Sequence, residues 1–174
     1  MNKIEVKSSS AKIYPQFKSL YEESFPLAEQ RTEFQQKMAF ESERYRLICH
    51  EENNVLVGFI SYWNFDNFIY IEHFAVNKDL RGRGYGFKIM EEFKSATDKI
   101  LILEIDKITD AQSAARLRFY KKCGFFENSH KHSHPGYGYG LGECPMLILS
   151  TQRQITSEEY AKFYSDLKNL AMRH

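Results

Sequence analysis

Phe74-Ala75-Val76-Asn77-Lys78-Asp79-Leu80-Arg81-Gly82-Arg83-Gly84-Tyr85-Gly86 is the stretch on which the fold turns. An apolar run ends at Val76, a polar turn follows, glycines alternate at 82, 84 and 86, and Phe87, Ile89, Met90, Phe93 and Lys94 then fall at helical spacing. The pattern is strand, turn, helix. Such a loop can turn its backbone N–H groups inward, where with the helix dipole they form a site for phosphate oxygens. Glycine suits the role because a Cβ would block that close approach. The spacing matches neither the dinucleotide G-x-G-x-x-G nor the G-x-x-x-x-G-K-[ST] P-loop, since no Lys-Ser/Thr pair follows the alternating glycines.

Upstream, Tyr45–His50, Val55–Trp63 and Phe68–Val76 are strand-like runs separated by turn-forming polar segments, an antiparallel meander. Before them, Phe17, Leu20, Tyr21, Phe34 and Met38 recur at three and four spacing with a break at Ser24-Phe25-Pro26, which predicts two short helices around a loop. Downstream, Ile100–Ile105 is a strand. Asp110 is a plausible N-cap for a helix carrying Ala114, Leu117 and Tyr120 on one stripe and ending at Gly124. Short strands are expected at Phe125-Phe126 and Met146–Leu149, then a terminal amphipathic helix over about 157–171 whose Tyr160, Phe163, Leu167 and Leu170 point to core packing, with a homodimer contact as the alternative.

The glycine stretch closely resembles the acetyl-CoA motif of the GNAT N-acetyltransferase superfamily, an apolar strand ending in Ala-Val followed by R/Q-x-x-G-x-G/A. A second block, Arg118-Phe119-Tyr120-Lys121-Lys122-Cys123-Gly124-Phe125, is similar to that family's helix-ending Tyr-x-x-x-Gly-Phe, in the same order and separation. Glu23-Ser24-Phe25-Pro26-Leu27-Ala28-Glu29-Gln30-Arg31 resembles the Ser-Phe-Pro-x-x-Glu-Arg signature of some members, with Gln30 departing from the acidic residue. The resemblance implies an α/β (α+β) fold: a mixed, mostly antiparallel sheet flanked by helices, with splayed central strands. It covers about residues 1–150 of a single 1–174 domain.

It also implies roles for individual residues. Phe74, Ala75 and Val76 would lie beside the pantetheine, with a main-chain N–H polarising the thioester carbonyl. Arg81, Gly82, Arg83, Gly84, Tyr85 and Gly86 would hold the pyrophosphate, and Ser113, where many members have Asn, would touch the cofactor. Tyr120 stands at the position of the family's proton-donating tyrosine; the alternative is that it simply extends the apolar stripe. The Ser24–Arg31 segment would border the acceptor. The activity implied is acetyl transfer from acetyl-CoA to a primary amine in a ternary complex, with an acetyl-CoA-binding regulatory module as the alternative.

From the residues themselves, Glu72 is a candidate base, because strand alternation puts it on one face with Tyr70, Phe74 and Val76, where aromatic surroundings would raise its pKa. The competing reading is a strand-edge glutamate in solvent or paired with an arginine. Glu104 and His73 are lesser candidates, His73 facing the other way. His130-x-His132-x-His134, with Cys144, invites a zinc reading; a solvated loop before Pro135-Gly136 is preferred and no metal is assigned. Gly136-Tyr137-Gly138-Tyr139-Gly140-Leu141-Gly142 reads as a flap whose tyrosines contact the acceptor, or as a mobile loop.

The net charge of +1 lacks the field that drives nucleic-acid or anionic-membrane binding. The N-terminus has no apolar run of about 7–15 residues, and no segment approaches the roughly 18 of a membrane span, so a cytoplasmic protein is expected. Cys49, Cys123 and Cys144 form no C-x-x-C pair and read as small buried hydrophobes in a reducing compartment. The acceptor amine, small molecule or peptide, stays open among polyamine, aminoglycoside, amino acid and protein amines.

Overall fold

The computed structural model describes residues 1–138, 140 and 142–173. Its elements in chain order are β1 (Asn2–Val6), α1 (Tyr14–Ser24), α2 (Glu33–Glu41), β2 (Tyr45–Glu52), β3 (Val55–Asn64), β4 (Phe68–Val76), α3 (Tyr85–Ser95) and β5 (Ile100–Asp106). Then follow α4 (Ala111–Lys122), β6 (Phe125–Glu127), β7 (His132–His134), β8 (Cys144–Thr151) and α5 (Ser157–Asp166), which continues as a π-helical segment, Leu167–Ala171. Short 3-10 turns lie at Leu27–Glu29 and Lys78–Leu80. None of the described helices is long and apolar enough to cross a membrane.

The strands form one sheet in the order β1-β2-β3-β4-β5-β8-β6, with β7 also on β8. Every pairing is antiparallel except β4 with β5. One face carries α1 and α5 over a core of Phe17, Phe59, Trp63, Tyr70, Phe163 and Leu167; the other carries α3 and α4 over Ile69, Ile71, Met90, Leu103 and Leu149. This is the expected α/β architecture, and its strand and helix positions agree with the sequence within a few residues.

The helices begin where the sequence stops them from beginning earlier. Thr32, Asp110 and Thr156 each accept from the N3 backbone N–H and complete a capping box with Gln35, Ser113 and Glu159. Such caps contribute about 1 kcal/mol each. At the other end of α4 the chain passes through Gly124 at φ 82°, a conformation glycine adopts at little cost.

Several expectations change. The charge/aliphatic alternation at the N-terminus is strand β1, and β7 was not foreseen. Phe34 and Met38 do not face the core: they are 66% and 42% exposed, while Gln35 and Gln36 are buried in their place. The reason is hydrogen bonding, Gln35 Nε2 donating to the Tyr137 carbonyl at 2.7 Å and Gln36 Nε2 to the Tyr45 hydroxyl at 3.2 Å. Cys49 and Cys123 are buried, but Cys144 is exposed, because it opens β8 at the rim of a cleft.

Candidate active site

β4 and β5 pair only from Phe68↔Ile100 to Ile71↔Leu103. Beyond that point both strands continue without pairing to each other, to Val76 and Asp106, and a cleft of about 960 Å³ opens between them. Its walls come from both sides of the sheet, so it divides naturally into two halves.

The first half is built from backbone. Gly82 and Gly84 have φ of 75° and 82°, left-handed values, and a Cβ built on either would meet nothing within 4 Å. They therefore form an open cradle that a side chain would both strain and fill. Gly84 is the N-cap of α3, whose first N–H groups have no intrahelical partner. Gly86 lies tight against Phe119 and Val76, which seats the helix on the strand end. Arg81 Nε donates back to the Val76 carbonyl at 3.3 Å. Donor N–H groups, a helix N-terminus and an open concavity fit a pyrophosphate.

Phe74, Ala75, Val76, Arg81, Gly82, Gly84, Tyr85 and Gly86 all line this cleft. Arg83 is exposed and is not part of the wall. Ser113 is a correction: it is buried as the N3 residue of the α4 capping box, its hydroxyl donating to Asp110 at 2.7 Å, and it does not reach the cleft. Tyr120 does line the cleft. Its ring is buried between Phe119 and Phe125, and its hydroxyl has no hydrogen-bond partner among the described residues. Burial pushes its pKa up, so it is a protonated donor at neutral pH.

The second half is built from buried polar side chains, and here strand alternation misled. The β3–β4 register jumps between Ser61↔His73 and Tyr62↔Ile71, so Glu72 is the extra residue of a β-bulge. The bulge turns both Glu72 and His73 toward the α1 face and sends Phe74 to the opposite face, where it stacks on Phe119. Glu72 and Phe74 are therefore not face-mates, and His73 does not point away from Glu72.

The Glu72 side chain is fully buried and saturated. Arg31 Nε lies 2.8 Å from Oε1, Tyr137 donates to Oε1 at 2.9 Å, and Trp63 Nε1 donates to Oε2 at 2.8 Å. Burial by itself raises the carboxyl, but the Arg31 charge, His73 and the Trp63 and Arg31 hydrogen bonds outweigh it and hold the group down at about 2. The expectation of a raised pKa is thus reversed. A carboxylate so acidic and so fully paired is poorly suited to take a proton from an amine. Arg31 in turn donates through Nη2 to the Ala171 carbonyl at 2.8 Å and packs its guanidinium over the Trp63, Tyr137 and Tyr45 rings.

Glu104, one residue past the split on β5, accepts from Tyr70 at 2.6 Å and from His132 Nε2. His132 Nδ1 meets the Tyr160 hydroxyl at 2.9 Å, which ties α5 to the same layer. His132 and His134 are buried, not solvated, and His130 stacks on Tyr160. Among the described residues no group of three or more His, Cys, Asp or Glu could hold a metal ion.

After β7, the described residues Gly136 and Tyr137 make close contacts. Tyr137 is buried, stacked on His134, and its hydroxyl is committed to Glu72. Gly136 has φ 84°, and a Cβ there would sit 2.7 Å from the Gly142 carbonyl oxygen, so these two glycines lie against each other. Tyr139 and Leu141 lie outside the described residues.

Trp63 and Tyr160 were missed as site residues, while Arg31, His132 and Tyr137 were singled out in the sequence but not as partners of Glu72 and Glu104. One signal was present: Glu72 interrupts an otherwise apolar strand, and a buried carboxylate demands a cation. Which cation answers it is not a local property of the sequence.

A sequence model of the acetyltransferase (GNAT) family matches residues 11–125. The chain belongs to that family. YjbC of Bacillus subtilis (strain 168) is 29% identical over 102 residues, 58% of this chain and 51% of that protein, so the chain spans about half the length of that curated relative. A GNAT-family structure from Bacteroides thetaiotaomicron is 25% identical and superposes with a TM-score of 0.90 over 99% of this chain and 98% of the other. An aminoglycoside 6'-N-acetyltransferase complexed with coenzyme A is 14% identical with a TM-score of 0.60, over 87% of this chain and 96% of that one, a likeness of fold alone.

Proposed function

We propose that the protein transfers an acetyl group from acetyl-CoA to a primary amine by direct attack in a ternary complex. The observation that carries this reading is the open left-handed cradle at Gly82 and Gly84, capping α3 at the mouth of the cleft that Tyr120 also lines. Bound acetyl-CoA supplies an activated acyl thioester. The backbone N–H groups at the start of α3 hold the pyrophosphate. Phe74, Ala75 and Val76, on the unpaired end of β4, lie along the acyl arm with main-chain donors free of β5. Tyr120 holds a proton at the cleft wall for the departing sulfur.

Glu72 becomes a positioning residue in this scheme. Its pair with Arg31 fixes the bulge, and the bulge aims His73 and Phe74 to opposite walls. The test is release of free CoA with a panel of amines: a polyamine, an aminoglycoside, an amino acid and peptides with a free α-amine or lysine. Turnover with one class is expected. Binding of acetyl-CoA with no turnover in any class would favour a regulatory module instead.

A further inference from the structure

Glu29 ends the 3-10 turn between α1 and α2, and its side chain lines the cleft. Its carbonyl is 2.8 Å from His73 Nε2, which pins the turn to β4 just past the split. Across the split it feels Asp106 and Glu104 on β5, with Arg116 on α4. Glu29 thus shares the wall of one cleft with the unpaired ends of both strands.

The other carboxylates of the cleft are committed or at its rim. Glu72 is paired with Arg31 at 2.8 Å, Glu104 is bonded to Tyr70 and His132, Asp106 is paired with Arg116 at 2.7 Å, and Glu23 is paired with Lys78 at 3.3 Å. Glu143 is exposed. Glu29 alone is both half-buried and without an ion pair or side-chain hydrogen bond among the described residues. Cys144 on β8, His134 on β7, Tyr70, Glu72 and His73 on β4 and Tyr137 complete the titratable groups of this half of the wall, and Arg116 is the cation that acts on Glu29. Burial, then repulsion from Asp106 and Glu104, pushes Glu29 up to about 7 against the pull of Arg116.

We propose that Glu29 receives the acceptor's ammonium group and takes its proton, and that the acceptor is a cationic amine. The assignment rests on the acetyl-transfer reading. One proton passes from R–NH3⁺ to the Glu29 carboxylate. The freed nitrogen lone pair forms the N–C bond as the C–S bond breaks, and the sulfur takes the Tyr120 proton. The phenolate regains a proton from the second N–H lost on amide formation, and Glu29 returns its own to solvent, so one proton is released per turnover.

The experiment uses the full chain with acetyl-CoA and, separately, spermidine, a peptide with a free α-amine, and aniline as an uncharged amine. For the better cationic substrate, wild-type kcat/KM should rise through pH about 7. Glu29→Gln should lower kcat/KM by something on the order of 10²–10⁴-fold and remove that limb, with acetyl-CoA affinity by calorimetry unchanged. Glu29→Asp should retain the limb at reduced rate. A Glu29→Gln enzyme with wild-type kcat/KM and pH profile overturns the role of Glu29, and faster acetylation of aniline than of either cation overturns the substrate class. Acetyl-CoA binding by wild type with no amine turned over overturns the transfer reading and this assignment together.

Discussion

The two halves of the cleft, which we assign to cofactor and acceptor, are built by different physics. The cofactor half is made of main-chain N–H groups positioned by left-handed glycines, at Gly82 and Gly84, on a helix N-terminus. The acceptor half is lined by Glu29, Glu72, His73, Glu104 and Tyr137 and backed by Arg31, Trp63 and His132, charged and aromatic side chains from five separate places in the chain. A backbone site needs only a short local sequence to specify it. A side-chain site of this kind exists only when distant segments meet, and it is held by burial of charge, which makes it costly to disturb. The difference teaches where a substitution will be read as lost binding and where as lost stability.

The largest expected effect falls on the backbone half. Gly84→Asp puts a carboxylate in the anion cradle and an L side chain at φ 82°, and should abolish acetyl-CoA binding by calorimetry while the acceptor half stays folded. Retained affinity would show that the cradle is not the phosphate site.

Tyr120→Phe should come next. The phenyl ring keeps the packing against Phe119 and Phe125, so melting temperature and acetyl-CoA affinity should hold, while kcat falls by something on the order of 10²–10⁴-fold. Wild-type kcat under conditions where chemistry is rate-limiting would leave Tyr120 a structural residue.

Arg31→Met tests the opposite half. Removing one member of a buried pair typically costs about 3–5 kcal/mol, read by denaturant unfolding. The pH dependence should also change sign. In the wild type Glu72 is depressed to about 2 from an ordinary 4.5, so its stabilisation is complete above 4.5 and lost as pH falls through about 2. Without the guanidinium, burial dominates and the Glu72 pKa rises above 4.5. The fold is then most stable at acid pH and loses stability as pH rises. An unchanged slope would mean that Arg31 is not what holds Glu72 ionised.

The smallest effect sharpens the comparison. Thr156→Ala removes the cap of α5, at about 1 kcal/mol. Because the segment continuing α5 ends on the Ala171 carbonyl that accepts from Arg31, the acceptor KM should rise while acetyl-CoA affinity stays at the wild-type value. Equal changes in both would mean that the helix supports the whole sheet and not one half of the cleft.

What was legible follows from range. The meander, α3 and α4 were readable because hydrophobic period and capping residues such as Asp110 act within a few positions. Two local rules failed for one reason. Alternation placed Glu72 with Phe74, and the bulge, which depends on the β3 register, separated them. Helical spacing put Phe34 and Met38 inside, whereas Gln35 and Gln36 took the core because Tyr137 and Tyr45, from other elements, offered hydrogen bonds.

The sequence by itself determined the family, the central order of elements from the meander to α4 and the left-handed glycine loop, since each rests on neighbouring residues and on glycine's access to positive φ. The tertiary structure decided which carboxylate is ionised and bound, Glu72 beside Arg31, and which is left uncommitted in the cleft, Glu29. Those assignments depend on desolvation and on charges brought together across the fold. Both vary with distance in space, which the linear order of residues does not record.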